Sequence, residues 1–305
     1  MKKILTYINL ILKGAGMGAA NIIPGVSGGT IALITGIFEK LIDSIKSFDI
    51  KAIKLILGGK FKAFAQYVNL WFLVAVFGGA AISVFSLAKL LQFLFENYEI
   101  QVYAFFFGLI LASVFFVGKT IQKWNISVII TFIIGTVIAI ILSVLNPAAE
   151  NSNPIYLVIC GVVAICSMIL PGLSGSFVLL LMGNYELIMI NAVADLNLKI
   201  IIPVGIGAVG GLIAFSHFLS WVYKKFRDQT IAILTGFILG SLVILWPWKT
   251  PVINEELSAI KGEEVIEGYN RFIPESLSTE VLVVIVLIIL GIISIWLVEK
   301  LAKEQ

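Results

Sequence analysis

Two short strings hold the residues best suited to chemistry: Ile23-Pro24-Gly25-Val26-Ser27-Gly28-Gly29-Thr30 and Leu170-Pro171-Gly172-Leu173-Ser174-Gly175-Ser176. A Pro-Gly pair stops a helix, because Pro lacks an N–H and Gly favours non-helical backbone. The serine behind it can cap a new helix, whose first N–H groups have no intrahelical partner. Helix starts carry partial positive charge and hold anions, phosphate above all. Gly25, Gly28 and Gly29, with Gly172 and Gly175, would let a bulky anion approach the backbone, while Ser27, Thr30, Ser174 and Ser176 add hydroxyls. Asn21 stands just before the first break, placed to satisfy freed carbonyls or to meet the anion; Met168 occupies its counterpart position. Small residues in membrane segments also serve plain helix packing. A single Gly-rich stretch reads that way first; two Pro-Gly breaks with matching hydroxyls favour a site.

Both strings are embedded in apolar sequence. Of 305 residues, 60% are hydrophobic and 13% charged, with mean hydropathy +1.07, far from the soluble norm. Several apolar runs reach the roughly 20 residues a bilayer crossing needs. The composition predicts an all-α polytopic membrane protein. Met1-Lys2-Lys3 lacks the pattern of a cleaved signal peptide, so the first hydrophobic segment is expected to stay. The lone His217 excludes a multi-His metal site, and neither metal, cofactor nor nucleic acid is expected. Cys160 and Cys166 read as small core residues. The net charge of +3 says little about partners, because the lysines follow topology.

The predicted apolar segments are 4–22 and 27–45 around the first break, then 66–95, 101–118 and 125–146. They resume at 154–169 and 176–192 around the second break, followed by 199–223, 229–247 and 280–298. Residues 46–65, rich in Lys, read as interfacial, and 248–279 as a polar, acidic surface loop. Landmarks recur in order: Pro24 and Pro171 are 147 positions apart, as are Gly36-Ile37-Phe38-Glu39 and Gly183-Asn184-Tyr185-Glu186. Gly78-Gly79 returns as Gly210-Gly211 at an offset of 132, and Gly108 with Ser113 returns as Gly236 with Ser241 at 128. An internal duplication follows. The first repeat comprises 1–123 (hairpin and two spans) and 124–150 (third span), and 151–305 forms the second, all in one membrane domain.

Charge orients the chain. If each broken segment enters and leaves on one side, as a re-entrant hairpin, Lys2, Lys3 and Lys13 share a face with Lys40 through Lys62. Lys119, Lys123, Lys224, Lys225, Arg227, Lys300 and Lys303 then fall on that same face, as the positive-inside rule requires of the cytoplasm. Both termini are expected there. Three spans per half is odd, so the halves must be inverted, with hairpin tips approaching near the midplane. Broken helices in matching halves mark a transporter's substrate site.

Other polar residues are candidates for coupling or gating. Glu39 and Glu186 each lie fifteen residues past a motif proline, and intramembrane carboxylates are functional candidates by default. Glu39, beside Lys40, also reads as an exposed helix end. His217 could relay protons or simply pack, and Lys89 could meet an anion or snorkel. Lys224, Lys225 and Arg227 read as topology signals with a secondary use in holding lipid phosphate.

The string from Gly14 to Glu39, with Leu170 to Glu186, resembles the PopT-like polyprenyl-phosphate transport family, once a domain of unknown function. The resemblance implies movement of undecaprenyl phosphate across the cell membrane to recycle the carrier lipid for envelope synthesis. Its partners would be that lipid and the surrounding membrane, with a homo-oligomer also allowed. The residues alone yield only a two-hairpin, anion-compatible transporter. A rival reading is a membrane polyprenyl-pyrophosphate phosphatase, whose family carries Pro-Gly-x-Ser-Arg-Ser. Here Gly28 and Gly175 stand where that Arg would be, and the chain's only arginines are Arg227 and Arg271. A small-anion channel or exporter is the third.

Overall fold

The computed structural model describes residues 2–22, 26–145, 147–253 and 266–303. Ile23, Pro24 and the candidate Gly25 lie outside the described residues, as does 254–265 of the polar loop. Helix α1 (Lys2–Ile22) leads to the first break, and the return is made by α2 (Gly28–Ile34) and α3 (Phe38–Lys46). Short α4 (Ile50–Leu57) and α5 (Phe61–Tyr67) precede α6 (Leu70–Gly118), which is two limbs joined at the non-helical Tyr98. After α7 (Ile126–Val144), α8 (Pro154–Ile169) leads to the second break and α9 (Gly175–Leu181) to the second return. That return continues as a π-helical stretch (Glu186–Asn191) and α10 (Ala192–Ala194). Helices α11 (Leu198–Lys225), α12 (Arg227–Leu245) and α13 (Thr279–Lys303) complete the helical part.

Among the described residues, six stretches are long and apolar enough to cross a bilayer: Leu70–Leu87, Phe93–Gly118, Ile126–Val144, Leu198–Lys225, Arg227–Leu245 and Thr279–Leu297. The protein is therefore a multi-pass membrane protein, with three spans in each half. Apolar side chains such as Phe85, 85% exposed, point outward, as expected of a surface facing lipid. Polar residues set the helix starts. Asn125, Asn153 and Asn197 accept hydrogen bonds from the backbone N–H of Val128, Ile155 and Lys199.

Two expectations need correction. The returns at 27–45 and 176–192 are not continuous helices. Gly36 and Gly183 both sit at φ +72°, a left-handed conformation that costs glycine nothing. Ile37 N–H then bonds Ala32 O and Asn184 N–H bonds Leu179 O, closing the same C-terminal cap twice. The polar 248–279 loop also contains a strand pair, β1 (Lys249–Ile253) against β2 (Ile266–Arg271), antiparallel with Lys249 opposite Arg271. Thr250, Val252, Ile253 and Tyr269 favour strands, and Pro251 is tolerated because each strand of a two-stranded ribbon has a free edge.

Helices meet through glycine. A Cβ at Gly14 would lie 2.0 Å from the Val76 carbonyl oxygen, and one at Gly18 2.3 Å from that of Ala80. The contacts advance together, so α1 runs parallel to the first limb of α6. In the second half, Gly207 abuts Val158 and Gly211 abuts Val162, making α8 parallel to α11. The second limb of α6 meets α13 where Gly108 faces Ile288, and α12 meets α7 where Gly236 faces Phe132 and Gly240 faces Thr136. Each half thus holds the other's last span. Gly161→Val, whose side chain would start 2.1 Å from the Val204 oxygen, should cost about 1–3 kcal/mol by overpacking. Gly210→Ala meets nothing within 4 Å and should leave stability unchanged or raise it by up to ~1 kcal/mol. Melting in detergent distinguishes them.

The strand pair is fastened by its cations. Lys249 Nζ donates to Ile244 O at 2.8 Å and lies 3.5 Å from the Tyr103 ring centroid; Arg271 Nε donates to Val243 O at 2.8 Å. Both complement the carbonyl end of α12. Burial lowers the Lys249 ammonium from 10.5 to about 8, despite the charge of Glu99. The unfolded chain therefore holds the proton more tightly, and stability rises between pH 8 and 10.5. Lys249→Met should flatten that part of the melting-temperature profile.

Candidate functional site

The two breaks touch. Ser27, extended at φ −119° and ψ 136°, caps α2 by accepting Gly29 N–H at 3.1 Å. Its own hydroxyl donates to Leu170 O, also at 3.1 Å, across the gap between halves. Thr30 returns the contact: its Oγ1 accepts the Gly172 N–H at 3.0 Å. Asn21, at the end of α1, accepts Gly28 N–H at 2.7 Å. Ser27, Gly28, Gly29 and Thr30 are all buried. Their glycines allow this closeness, since a Cβ at Gly29 would sit 2.6 Å from the Ile169 oxygen.

The second break is built differently. Gly172, at φ +80°, passes so close to α12 that a Cβ would lie 2.5 Å from the Phe237 carbonyl carbon. Gly175 is buried against Ala164 and Met168. Ser174 occupies the cap position of α9 without a capping hydrogen bond, and its Oγ lies 2.8 Å from that of Ser176. Ser176 is exposed and Ser174 half-buried. The first break's polar groups are thus engaged in joining the halves, whereas the second presents a pair of hydroxyls. This asymmetry is invisible in two nearly matching strings.

The remaining candidates lie apart from the breaks. Glu39 is exposed on the first turn of α3, and Glu186 is exposed at the start of the π-helical stretch. Half-buried His217 has Nδ1 2.8 Å from Ile213 O, one turn back on its own helix. Lys89 is exposed on α6, just beyond the Leu70–Leu87 stretch.

Two polar groupings escape a reading of sequence alone. Lys13 donates to Thr35 O at 2.8 Å, so a topology lysine closes the carbonyl end of α2. Asp43 on α3 pairs with Lys224 on α11 at 2.6 Å and accepts from Ser220 Oγ at 2.7 Å. Burial would raise the Asp43 carboxyl. The hydrogen bonds from Lys224 and Ser220, with the charges of Lys224 and Lys46, instead hold it below the ordinary range. In sequence, Asp43 stands among other charged residues of α3, and nothing local distinguishes it.

The chain matches the VCA0040-like family, described as undecaprenyl phosphate translocase-like, over residues 17–264. It is 42% identical over 247 residues to a Vibrio cholerae protein named polyprenyl-phosphate transporter, covering 81% of this chain and 80% of that one. A Staphylococcus aureus protein of the same name is 32% identical over 259 residues, covering 79% of this chain and 86% of that one. No solved structure matches it.

Proposed function

Because the chain belongs to the VCA0040-like, undecaprenyl phosphate translocase-like family, we propose that it carries polyprenyl phosphate between the leaflets of the cell membrane, returning a carrier lipid for reuse. The head group would cross through a polar passage at the two breaks while the prenyl chain stays in lipid. The observation that carries the reading is the direct contact of the breaks, with the Ser27 and Thr30 hydroxyls of the first bonded to the Leu170 carbonyl and Gly172 N–H of the second.

Two re-entrant hairpins in inverted repeats account for the helix directions. Parallel packing of α1 on the first limb of α6 supports a return of the chain to its starting side between them, and α8 with α11 supports the same. With α7 also running parallel to α12, α8 would enter from the face opposite α1. The repeats would be 1–150 and 151–305, with both termini and the lysine clusters cytoplasmic. Such repeats can exchange conformations to expose one site alternately to either face. In this conformation the first cradle is closed by Asn21, Ser27 and Thr30, while Ser174 and Ser176 remain available; the opposite state would reverse these roles. Gly25, Gly28, Gly29, Gly172 and Gly175 would admit the phosphate to the backbone.

Inward movement of an anion against an inside-negative potential costs about 2.3 kcal/mol per charge per 100 mV, so a coupling step or rapid use of the product is needed. Glu39, Glu186, His217 and Lys89 are the residues we assign to coupling or gating. Hydrolysis is disfavoured: a pyrophosphatase needs a cation at the transition-state charge, and neither arginine is near the breaks in sequence. Arg271 is bound to the end of α12. In proteoliposomes, leaflet-resolved assay should show protein-dependent movement of polyprenyl phosphate but not of polyprenol, and no phosphate release from polyprenyl pyrophosphate. Equal movement of the alcohol, or release of phosphate, would overturn the reading.

A further inference from the structure

The join between α3 and α11 carries more charge than a packing contact needs. Phe38 and Tyr223 meet at a ring-centroid distance of 6.4 Å, and buried Leu41 and Ile42 already fasten α3 into the core. Beside them Lys224 holds Asp43 at 2.6 Å, Ser220 donates to the other carboxylate oxygen, and Lys46 donates to Ser220 at 3.3 Å. Arg227 reaches the Tyr223 hydroxyl from the start of α12. Two cations, Lys224 and Lys46, therefore act on Asp43, with Glu39 the other carboxylate bordering the same shallow surface crease. Half of the Lys224 side chain is open to the surroundings, so the pair is not sealed. The second half has no copy of it: 147 positions on, where the break motif recurs, Asp43 is answered by Ile190.

We propose that Lys224, Lys46 and Ser220 form a lipid-phosphate site on the cytoplasmic face, which Asp43 fills until a substrate head group displaces it. The proposal rests on the transport reading given above, and adds where the head group waits outside the breaks. The chemistry is an exchange of anions. A phosphate monoester offers up to two charges and three acceptor oxygens, against one charge and two oxygens from a carboxylate. Ser220 serves either anion as donor. The position suits a lipid head group, since Lys224 ends a spanning helix at the level where interfacial lysines lie. Lys225, next in sequence, instead lies over the Trp221 and Phe226 rings, leaving Lys224 to face the cleft. Displacing Asp43 would also release the ionic tie between the first hairpin's return helix and α11, so arrival of the head group would loosen the face it arrives from.

The test is equilibrium binding of farnesyl phosphate to the full-length protein in detergent, with farnesol and inorganic phosphate as separate probes. Asp43→Asn should bind farnesyl phosphate more tightly, and Lys224→Gln and Lys46→Gln more weakly, each by about tenfold, the scale of one charge-assisted hydrogen bond. Lys62→Gln, remote in sequence on α5, should change nothing, and farnesol binding should be equal in all. Lys46→Gln leaves the Asp43–Lys224 pair intact, so its effect is read on a protein whose melting temperature matches the wild type. Wild-type affinity in both lysine variants, or a response to inorganic phosphate equal to that of farnesyl phosphate, would overturn the lipid-phosphate site alone. A wild-type protein that neither binds nor moves the phosphorylated lipid would overturn the transport reading beneath it.

Discussion

Thr30→Val should abolish transport and cost about 1–3 kcal/mol of stability, the penalty for stranding a buried donor. The side chain is fully buried, and Val reproduces its shape without the hydroxyl. What it loses is the acceptor for Gly172 N–H, the bond by which the first return helix holds the second break. Ser27→Ala acts on the same join from the other direction. It removes the cap of α2, worth about 0.5–2 kcal/mol, and the donor to Leu170 O. If the join positions both cradles, each variant loses polyprenyl-phosphate movement in proteoliposomes while still purifying as folded protein. Stability loss with normal transport would make the join purely structural.

Gly172→Ala should be strongly damaging for the addition of a single methyl. At φ +80° any side chain costs about 1–2 kcal/mol. The new Cβ would also lie 2.5 Å from the Phe237 carbonyl carbon, and a backbone neighbour cannot rotate away. Together these come to on the order of 3 kcal/mol, enough to displace the break from α12. Gly36→Ala supplies the control: it shares the left-handed conformation, at φ +72°, but a Cβ there meets nothing within 4 Å. Its melting temperature should fall by only the conformational part, with transport retained.

The six spans were legible because crossing a bilayer demands a length and an apolarity that sequence states outright. The start of α8 was legible too, since Asn153-Pro154 is a cap followed by the imino acid that needs no donor. Gly36 and Gly183 recur as landmarks inside apolar runs that predict helix, because the sign of φ is not written in the residue type. The strand pair was hidden by the charge of its loop. At the site, the string Ser27-Gly28-Gly29-Thr30 announced hydroxyls and close approach, but not their partner. That Thr30 serves Gly172, 142 residues away, is a fact of packing. Asp43 and Lys224 lie 181 residues apart and each looks ordinary where it stands. Pairings of that kind become visible only when the helices are placed.

On the mechanism proposed above, hydroxyls and amides at the meeting of two broken helices take the phosphate across. Its most direct measurement is leaflet-resolved movement of polyprenyl phosphate in proteoliposomes containing Ser174→Ala/Ser176→Ala, the pair whose hydroxyls bond each other at 2.8 Å. Movement should fall to the leak of protein-free vesicles, with an unchanged melting temperature. Movement at the wild-type rate would contradict it.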